Sequence, residues 1–328
     1  MKISIIVPVF QVAEYIDRFM ESLIIQANHE NFELILIDDC GKDQSIQKAI
    51  DCLKEVPSIN YSIITHEKNR GLSAARNSGI DHAQGDFIYF ADSDDIIDNR
   101  AIEYFLDTIA NYSDHKLFCF NASFQNIGAE KFSTWRQPFE LPTVMTTESF
   151  SQLLYSGKVG AYVWQYLFHK NIFKNLRFEE GAVWEDAIFL PQVLNIVDYI
   201  ISLDHLFIYK YILRTGSITQ TIHPQMDKVV LALNDIENKL YPYKNEPLYP
   251  EFVNYKTNIT MRLSRECFSR TKDFNKLMSI HRIWAVSITK SNIKQLMKNG
   301  KKKSAVFLGL LKTAPEFLYF LYAIKVLK

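Results

Sequence analysis

The first hundred residues alternate two hydrophobic periods. Ile3–Val9 is an unbroken, largely β-branched apolar run, the pattern of a strand covered on both faces. Over 13–27, Ile16, Phe19, Met20, Leu23 and Ala27 recur at helical spacing. A second buried strand is expected over 32–37, then a helix carrying Ile46, Ala49, Ile50 and Leu53. A third strand, 61–65, leads to a helix over 72–83 bracketed by Gly71 and Gly85, and a fourth, 86–91, ends in Asp92–Asp95. Such alternation predicts a mainly parallel sheet with helices on both faces. Further on the spacing predicts a helix over 101–112, a strand over 117–122 and a Pro-containing loop over 138–142. A short helix ending near Gly157 and an aromatic segment, 162–168, follow. Next come a helix over 184–197, kinked or opened by Pro191, and strands over 199–203 and 206–212. Beyond 222 the stripes Met226, Val229, Val230, Leu233, Ile236 and Ile259, Leu263, Cys267 are helical. Three segments result: 1–100, 101–222 and 223–328.

Composition narrows the class. The chain has 328 residues, enough for about two domains. With 48% hydrophobic and 23% charged residues it can bury a sizeable core and is not disordered. Lys+Arg 37 balance Asp+Glu 37, which disfavours a whole-protein polycation built for nucleic acid, although not a local basic patch. Cys40, Cys52, Cys119 and Cys267 form no CxxC pair, which disfavours a disulfide framework or cysteine zinc site and fits a reducing compartment. The N-terminal apolar run is short and lacks a signal-peptide cleavage site, and no stretch of about 20 uninterrupted apolar residues occurs. A soluble or peripheral protein facing the cytosol is expected.

In open sheets, ligands sit beyond the carboxyl ends of the strands. Here those ends carry Phe10–Gln11, Asp38–Asp39, His66–Asn69 and Asp92–Asp95. Crowded carboxylates repel unless compensated. Asp92-Ser93-Asp94-Asp95 reads either as hard ligands for a divalent cation shared with substrate phosphates or as a helix-capping turn. Asp38-Asp39 is either a second functional pair or an Asx turn. The turn after the first strand lacks GxGxxG, and 299–304 lacks the earlier glycine of a P-loop. Side chains and a metal must therefore handle any nucleotide diphosphate. Glu185-Asp186 opens a helix, where carboxylates either complement the macrodipole or act as a base.

Taken in order, ISIIVPVF, LILIDDCGKDQS, NRGLSAARNSGI, GDFIYFADSDD and WEDAIF resemble the family 2 glycosyltransferases of GT-A fold. The resemblance covers roughly the first 220 residues. It implies an α/β, GT-A-like, mainly parallel sheet flanked by helices, with a C-terminal helical extension. Residues 1–100 become the nucleotide-sugar-binding half and 101–222 the acceptor-binding half. The implied activity is inverting transfer from a nucleotide diphosphate sugar, UDP-linked, with Mn²⁺ or Mg²⁺. By position, Pro8 and Phe10 flank the base and Asp39 bonds the uracil. Asn69 and Arg76 line the pocket, Asp92 faces the ribose with Ser93 beside it, and Asp94 holds the metal and diphosphate. Asp186 matches the family's base, with Glu185 orienting or structural; Asp38 and Asp95 adjoin the donor set. Lys210, Arg214 and Ser217 either fall where relatives carry a basic, flexible segment closing over the diphosphate or form an ordinary basic loop. Gln11 replaces the usual Asn, and Cys40 a residue more often small or polar. No His has evident third-ligand spacing. Trp164 and Tyr166 either line an acceptor groove or pack in the core. The acceptor is expected to be a glycan or lipid-linked, in bacterial surface polysaccharide or lipopolysaccharide synthesis. A catalytically silent nucleotide-sugar-binding scaffold of the same fold is the alternative, and intact Asp92, Asp94 and Asp186 speak against it. A nucleotidyltransferase would usually need a Gly-rich basic loop after the first strand, which is absent.

The tail carries Lys294, Lys298, Lys301, Lys302 and Lys303, then an apolar segment over 305–327 interrupted by Lys312, Pro315 and Glu316. It reads either as an interfacial helix on the inner face of the cell membrane or as a helix packed on its own domain or on a homodimer partner.

Overall fold

A computed structural model describes residues 2–125, 132–134, 141–213, 226–244, 246–271 and 274–323. The chain begins with β1 (Ile3–Val9), α1 (Ile16–Ile24), β2 (Phe32–Asp38), α2 (Ser45–Lys54), β3 (Asn60–Thr65), α3 (Leu72–His82) and β4 (Phe87–Phe90). Then come β5 (Ile96–Ile97), α4 (Ala101–Asn111), β6 (Leu117–Gln125), β7 (Ser133–Thr134), β8 (Thr143–Thr146) and α5 (Thr147–Tyr155). After these follow β9 (Tyr166–His169), α6 (Glu185–Leu194) and β10 (Tyr199–Ile212). The remaining helices are α7 (Met226–Leu240), α8 (Tyr249–Thr271), α9 (Phe274–Ser287), α10 (Lys290–Lys298), α11 (Lys302–Thr313) and α12 (Pro315–Ala323).

Two compact units divide the chain. The first comprises Met1–Phe150, Gly160–Gly181 and Phe189–Thr215; the second comprises Ser151–Val159, Ala182–Ile188 and Gly216–Lys328. This differs from the three-segment division the sequence suggested: Ala182–Ile188, with the Glu185-Asp186 pair, groups with the helical unit.

In the first unit a mixed sheet runs β3-β2-β1-β4-β9-β6-β10-β5, with β7 on β6 and β8 on β10. β3, β2, β1 and β4 are parallel, as the alternation predicts. β9 is antiparallel to both β4 and β6, while β6 and β10 are parallel. Alternation along β1 sends Ile3, Ile5, Val7 and Val9 into the core with Phe19 and Leu23 of α1 and Ala49 and Leu53 of α2. Ile6 faces α3, where a Cβ on Gly79 would lie 2.3 Å from its Cγ2. Only glycine lets α3 come this close, which fixes Arg76 at the strand ends.

The expected strands over 199–203 and 206–212 are one strand, β10, whose register on β6 shifts between Leu203, Phe207 and Tyr209. The shifts interrupt the alternation, so the sequence reads as two pieces. Part of the aromatic segment forms β9, and Trp164 and Tyr166 are buried, Trp164 stacking on Tyr209 at 4.6 Å. Pro191 lies inside α6.

In the second unit Ile259, Leu263 and Cys267 of α8 are buried, as their stripe predicts. The expected tail segment is two helices, α11 and α12, the second opened by Pro315. Phe307, Leu308, Leu311 and Leu318 are buried, while Lys294, Lys298, Lys302 and Lys303 are exposed. No helix among the described residues is long and apolar enough to cross a membrane.

Candidate active site

Residues from the ends of β1, β2, β3 and β4 converge in the first unit. Phe10 leaves β1 with 40% of its surface exposed, while Pro8 is buried within the strand. The Pro8 carbonyl accepts from Ser93 Oγ at 2.8 Å, tying the end of β1 to the turn after β4. From α1, Arg18 Nη2 donates to the Asp94 carbonyl at 2.5 Å.

The buried Asp39 carboxylate sits in a cradle. Oδ1 accepts from the Arg70 N–H at 2.8 Å and meets His66 Nδ1 at 2.7 Å; Oδ2 accepts from the Gly71 N–H at 2.8 Å. Gly71 holds φ +85°, a conformation favoured by glycine, which turns two successive N–H groups toward one acid. His66 Nε2 lies 2.8 Å from Ser78 Oγ. An imidazole protonated on Nδ1 donates to Asp39 and accepts from Ser78. Asp38 accepts from the Gly41 N–H at 3.2 Å, a local contact three residues on. Asn69 is exposed on the same loop.

Arg76 is 1% exposed and donates from Nη2 to Asp92 Oδ1 at 3.1 Å. Its guanidinium lies over the Phe178 ring, 5.4 Å from the centroid. In the turn after β4, Asp92 and Asp94 are half-buried, and Ser93 and Asp95 are buried. Tyr209 ties the turn to β10: its hydroxyl accepts from the Asp92 N–H at 3.0 Å and donates to Asp95 Oδ2 at 2.8 Å. Asp95 Oδ1 accepts from the Ile212 N–H at 2.7 Å. Burial, then the Asp94 and Asp92 charges, push the Asp95 carboxyl well above the usual carboxylate range. Burial and the same acidic neighbourhood raise the Tyr209 phenol.

The second carboxylate pair belongs to the other unit. Trp184 holds φ +56°, an outlier for a bulky side chain. Glu185 is buried and Asp186 half-buried at the start of α6. Lys210, expected in a flexible basic segment, lies in β10 and pairs with Asp98 at 3.4 Å. Arg214 and Ser217 lie outside the described residues.

Residues 4–175 match the family described as glycosyl transferase family 2. This chain belongs to that family. As a family 2 glycosyltransferase it is 27% identical over 290 residues to EpsH of Bacillus subtilis, covering 85% of this chain and 81% of EpsH. It is also 26% identical over 252 residues to the glycosyltransferase GlyA of Streptococcus pneumoniae. That match covers 74% of this chain but only 35% of GlyA. Among solved structures, S. aureus TarS 1–349 in complex with UDP-GlcNAc superposes with a TM-score of 0.68 at 18% identity, covering 96% of this chain and 92% of TarS. That likeness establishes the GT-A-like fold.

The acidic turn of this glycosyltransferase gathers the carboxylates that could hold a divalent cation. Asp92, Asp94 and Asp95 crowd four residues, with the Arg76 guanidinium bonded to Asp92. Among the described residues no three His, Cys, Asp or Glu side chains converge to hold a metal. A cation would therefore take Asp94 and substrate phosphates, a ligand set that suits Mg²⁺ or Mn²⁺. Local sequence pattern gives neither His66 nor Tyr209 a role. His66 already stood in a polar strand end, whereas Tyr209 lies more than a hundred residues from its acidic partners in a strand of mixed apolar and aromatic residues.

Proposed function

We propose that this glycosyltransferase moves a sugar, with inversion, from a UDP-linked donor to a hydroxyl of a glycan or lipid-linked acceptor in bacterial surface-glycan assembly. The observation that carries this reading is the cradled Asp39 beside the exposed Phe10, at strand ends shared with the Asp92–Asp94 turn. A carboxylate held by two backbone N–H groups presents its remaining lone pairs in a fixed direction, suited to the imide N–H of uracil, while Phe10 offers a stacking face. TarS, of the same fold, holds UDP-GlcNAc.

In this reading Asp94 would hold Mn²⁺ or Mg²⁺, with Asp92 facing the ribose and Arg76 orienting Asp92. The cation, when bound, supplies positive charge that stabilises the departing diphosphate. Asp186 takes the proton from the acceptor hydroxyl as oxygen attacks the anomeric carbon, and the bond to the diphosphate oxygen breaks on the opposite face.

A thermal-shift screen of nucleotide sugars with and without Mn²⁺ tests the donor assignment. A UDP-sugar is expected to raise the melting temperature, more so with Mn²⁺, and Asp94→Ala is expected to remove the metal-dependent part. Stabilisation by GDP- or ADP-sugars alone overturns the UDP reading. Asp186→Asn is expected to cut turnover by about 10²-fold or more while leaving UDP binding intact; parental turnover moves the base elsewhere.

A further inference from the structure

The helical unit holds the turn that carries Asp186. Pro191 has no N–H, so the carbonyl four residues earlier in α6, that of Ala187, loses its intrahelical donor. Tyr255 of α8 replaces it: its hydroxyl donates to the Ala187 carbonyl at 3.0 Å. The Ala187 N–H donates back to the Trp184 carbonyl at 3.0 Å, closing the turn around Glu185 and Asp186. At the other end of the turn, Trp184 holds its left-handed φ beneath the Arg262 guanidinium, which lies 4.7 Å from the Trp184 ring centroid. Arg262 is itself held one turn further along α8, its Nε donating to Glu266 Oε1 at 3.1 Å. Tyr255 and Arg262 stand seven residues apart, two helical turns, and so share one face of α8. That face meets the turn at both ends.

We propose that α8 is the positioning element for the catalytic turn, with Tyr255 and Arg262 as positioning residues that set the direction of the Asp186 carboxylate. The proposal rests on the reading of Asp186 as base. Strained backbone at a bulky residue persists only where surrounding contacts over-determine it, and here those contacts come from α8. A base displaced by a fraction of an ångström still leaves a folded, donor-binding enzyme, but one with a slower chemical step. The donor residues Asp39, Asp92 and Asp94 belong to the first unit, so loosening α8 is expected to affect kcat without affecting donor binding.

The test uses full-length Tyr255→Phe, Arg262→Gln and Arg262→Lys, with the donor that the thermal-shift screen selects. The first two are expected to lower kcat about tenfold, with donor KM and UDP affinity within twofold of the parent. Arg262→Lys keeps a cation over the ring and is expected to recover much of the loss. Hydrogen exchange, read independently of activity, is expected to speed up at residues 184–188 in Tyr255→Phe and Arg262→Gln, with β1 and β4 unchanged. Parental kcat in both variants, unchanged exchange in 184–188, or UDP affinity falling in step with kcat overturns the proposal. Asp186→Asn separates the two claims. If it keeps full turnover, the assignment of the base fails; if it is inactive while both α8 variants turn over normally, the positioning role alone fails.

Discussion

Gln11 and Cys40 depart from the family pattern at positions that share a physical constraint. Their φ values are +52° and +61°, in the left-handed region that Asn and Gly tolerate and that costs other side chains about 1–2 kcal/mol. Each follows the end of a parallel strand, and a Cβ on Gly41 would reach the Gln11 nitrogen at 3.4 Å, so the turns after β1 and β2 pack together. Because Gln11 is exposed, Gln11→Asn is expected to raise the unfolding free energy by roughly 0.5–1 kcal/mol. A higher urea midpoint at unchanged m-value checks it. Tyr209 makes the opposite case. Tyr209→Phe strips one partner each from buried Asp95 and the Asp92 N–H, at a cost of about 1–3 kcal/mol. If the Asp92–Asp95 turn holds the donor, calorimetry is also expected to show weaker UDP binding in the presence of Mn²⁺. The acids themselves were legible because polar residues at the ends of buried strands stand out. Tyr209 was not, because its role depends on β10 pairing beside the turn, which no local pattern records.

Among elements, legibility followed the regularity of the period. β1, β2 and β4 and the helices beside them match their periodicity closely, since both faces of these strands are covered and the apolar runs are clean, while the edge strand β3 forms where expected although it is largely exposed. β10 was split by its own register shifts, and β5 and β7, two residues each, are too short to show a period. Helices α7 and α8 were legible only as stripes, and α9, for which no stripe was read, holds a titratable core group. His281 of α9 is 0% exposed, with Nε2 3.0 Å from Ser264 Oγ of α8, and burial pulls its pKa down to about 4. The unfolded chain, with an ordinary His near 6.5, binds this proton first. Between pH 6.5 and 4 the unfolded state therefore carries more protons, and stability falls as the pH falls. Above 6.5 the group contributes nothing to the pH dependence; by pH 4 the accumulated loss approaches about 3 kcal/mol. His281→Gln cannot titrate, so its unfolding free energy is expected to gain on the parent's by up to that amount between pH 7 and pH 4. Parallel pH profiles for the two proteins contradict the buried neutral imidazole.

For the whole molecule, the family blocks reached the first unit's chemistry and, through WEDAIF, the Asp186 turn that groups with the helical unit, but gave no account of α7 to α12 beyond two stripes. A basic stretch before an apolar segment fits a membrane-surface helix and a packed helix equally well. In the fold, much of that apolar surface is used internally. Phe307, Leu308, Leu311 and Leu318 are buried, Ser304 Oγ donates to Asn254 Oδ1 at 2.6 Å, and Lys312 donates to the Ile288 carbonyl. Deleting the chain after Gly300 removes these four side chains, each contributing about 1.5–3 kcal/mol, a sum comparable with the whole stability of a domain. Such a truncation is expected to unfold the helical unit, seen as lost helical circular dichroism, so its release from membranes would not identify an anchor. The exposed lysines offer a cleaner test. Reversing Lys294, Lys298, Lys302 and Lys303 to Glu changes surface charge without touching the buried face. If these residues hold the protein to an anionic leaflet, the parent is expected to sediment with phosphatidylglycerol vesicles at low salt and release at about 0.5 M, where screening shortens the Debye length to a few ångströms. The reversed variant, still folded by its melting curve, is expected to remain in the supernatant; equal sedimentation of both proteins removes the lysines from any membrane contact.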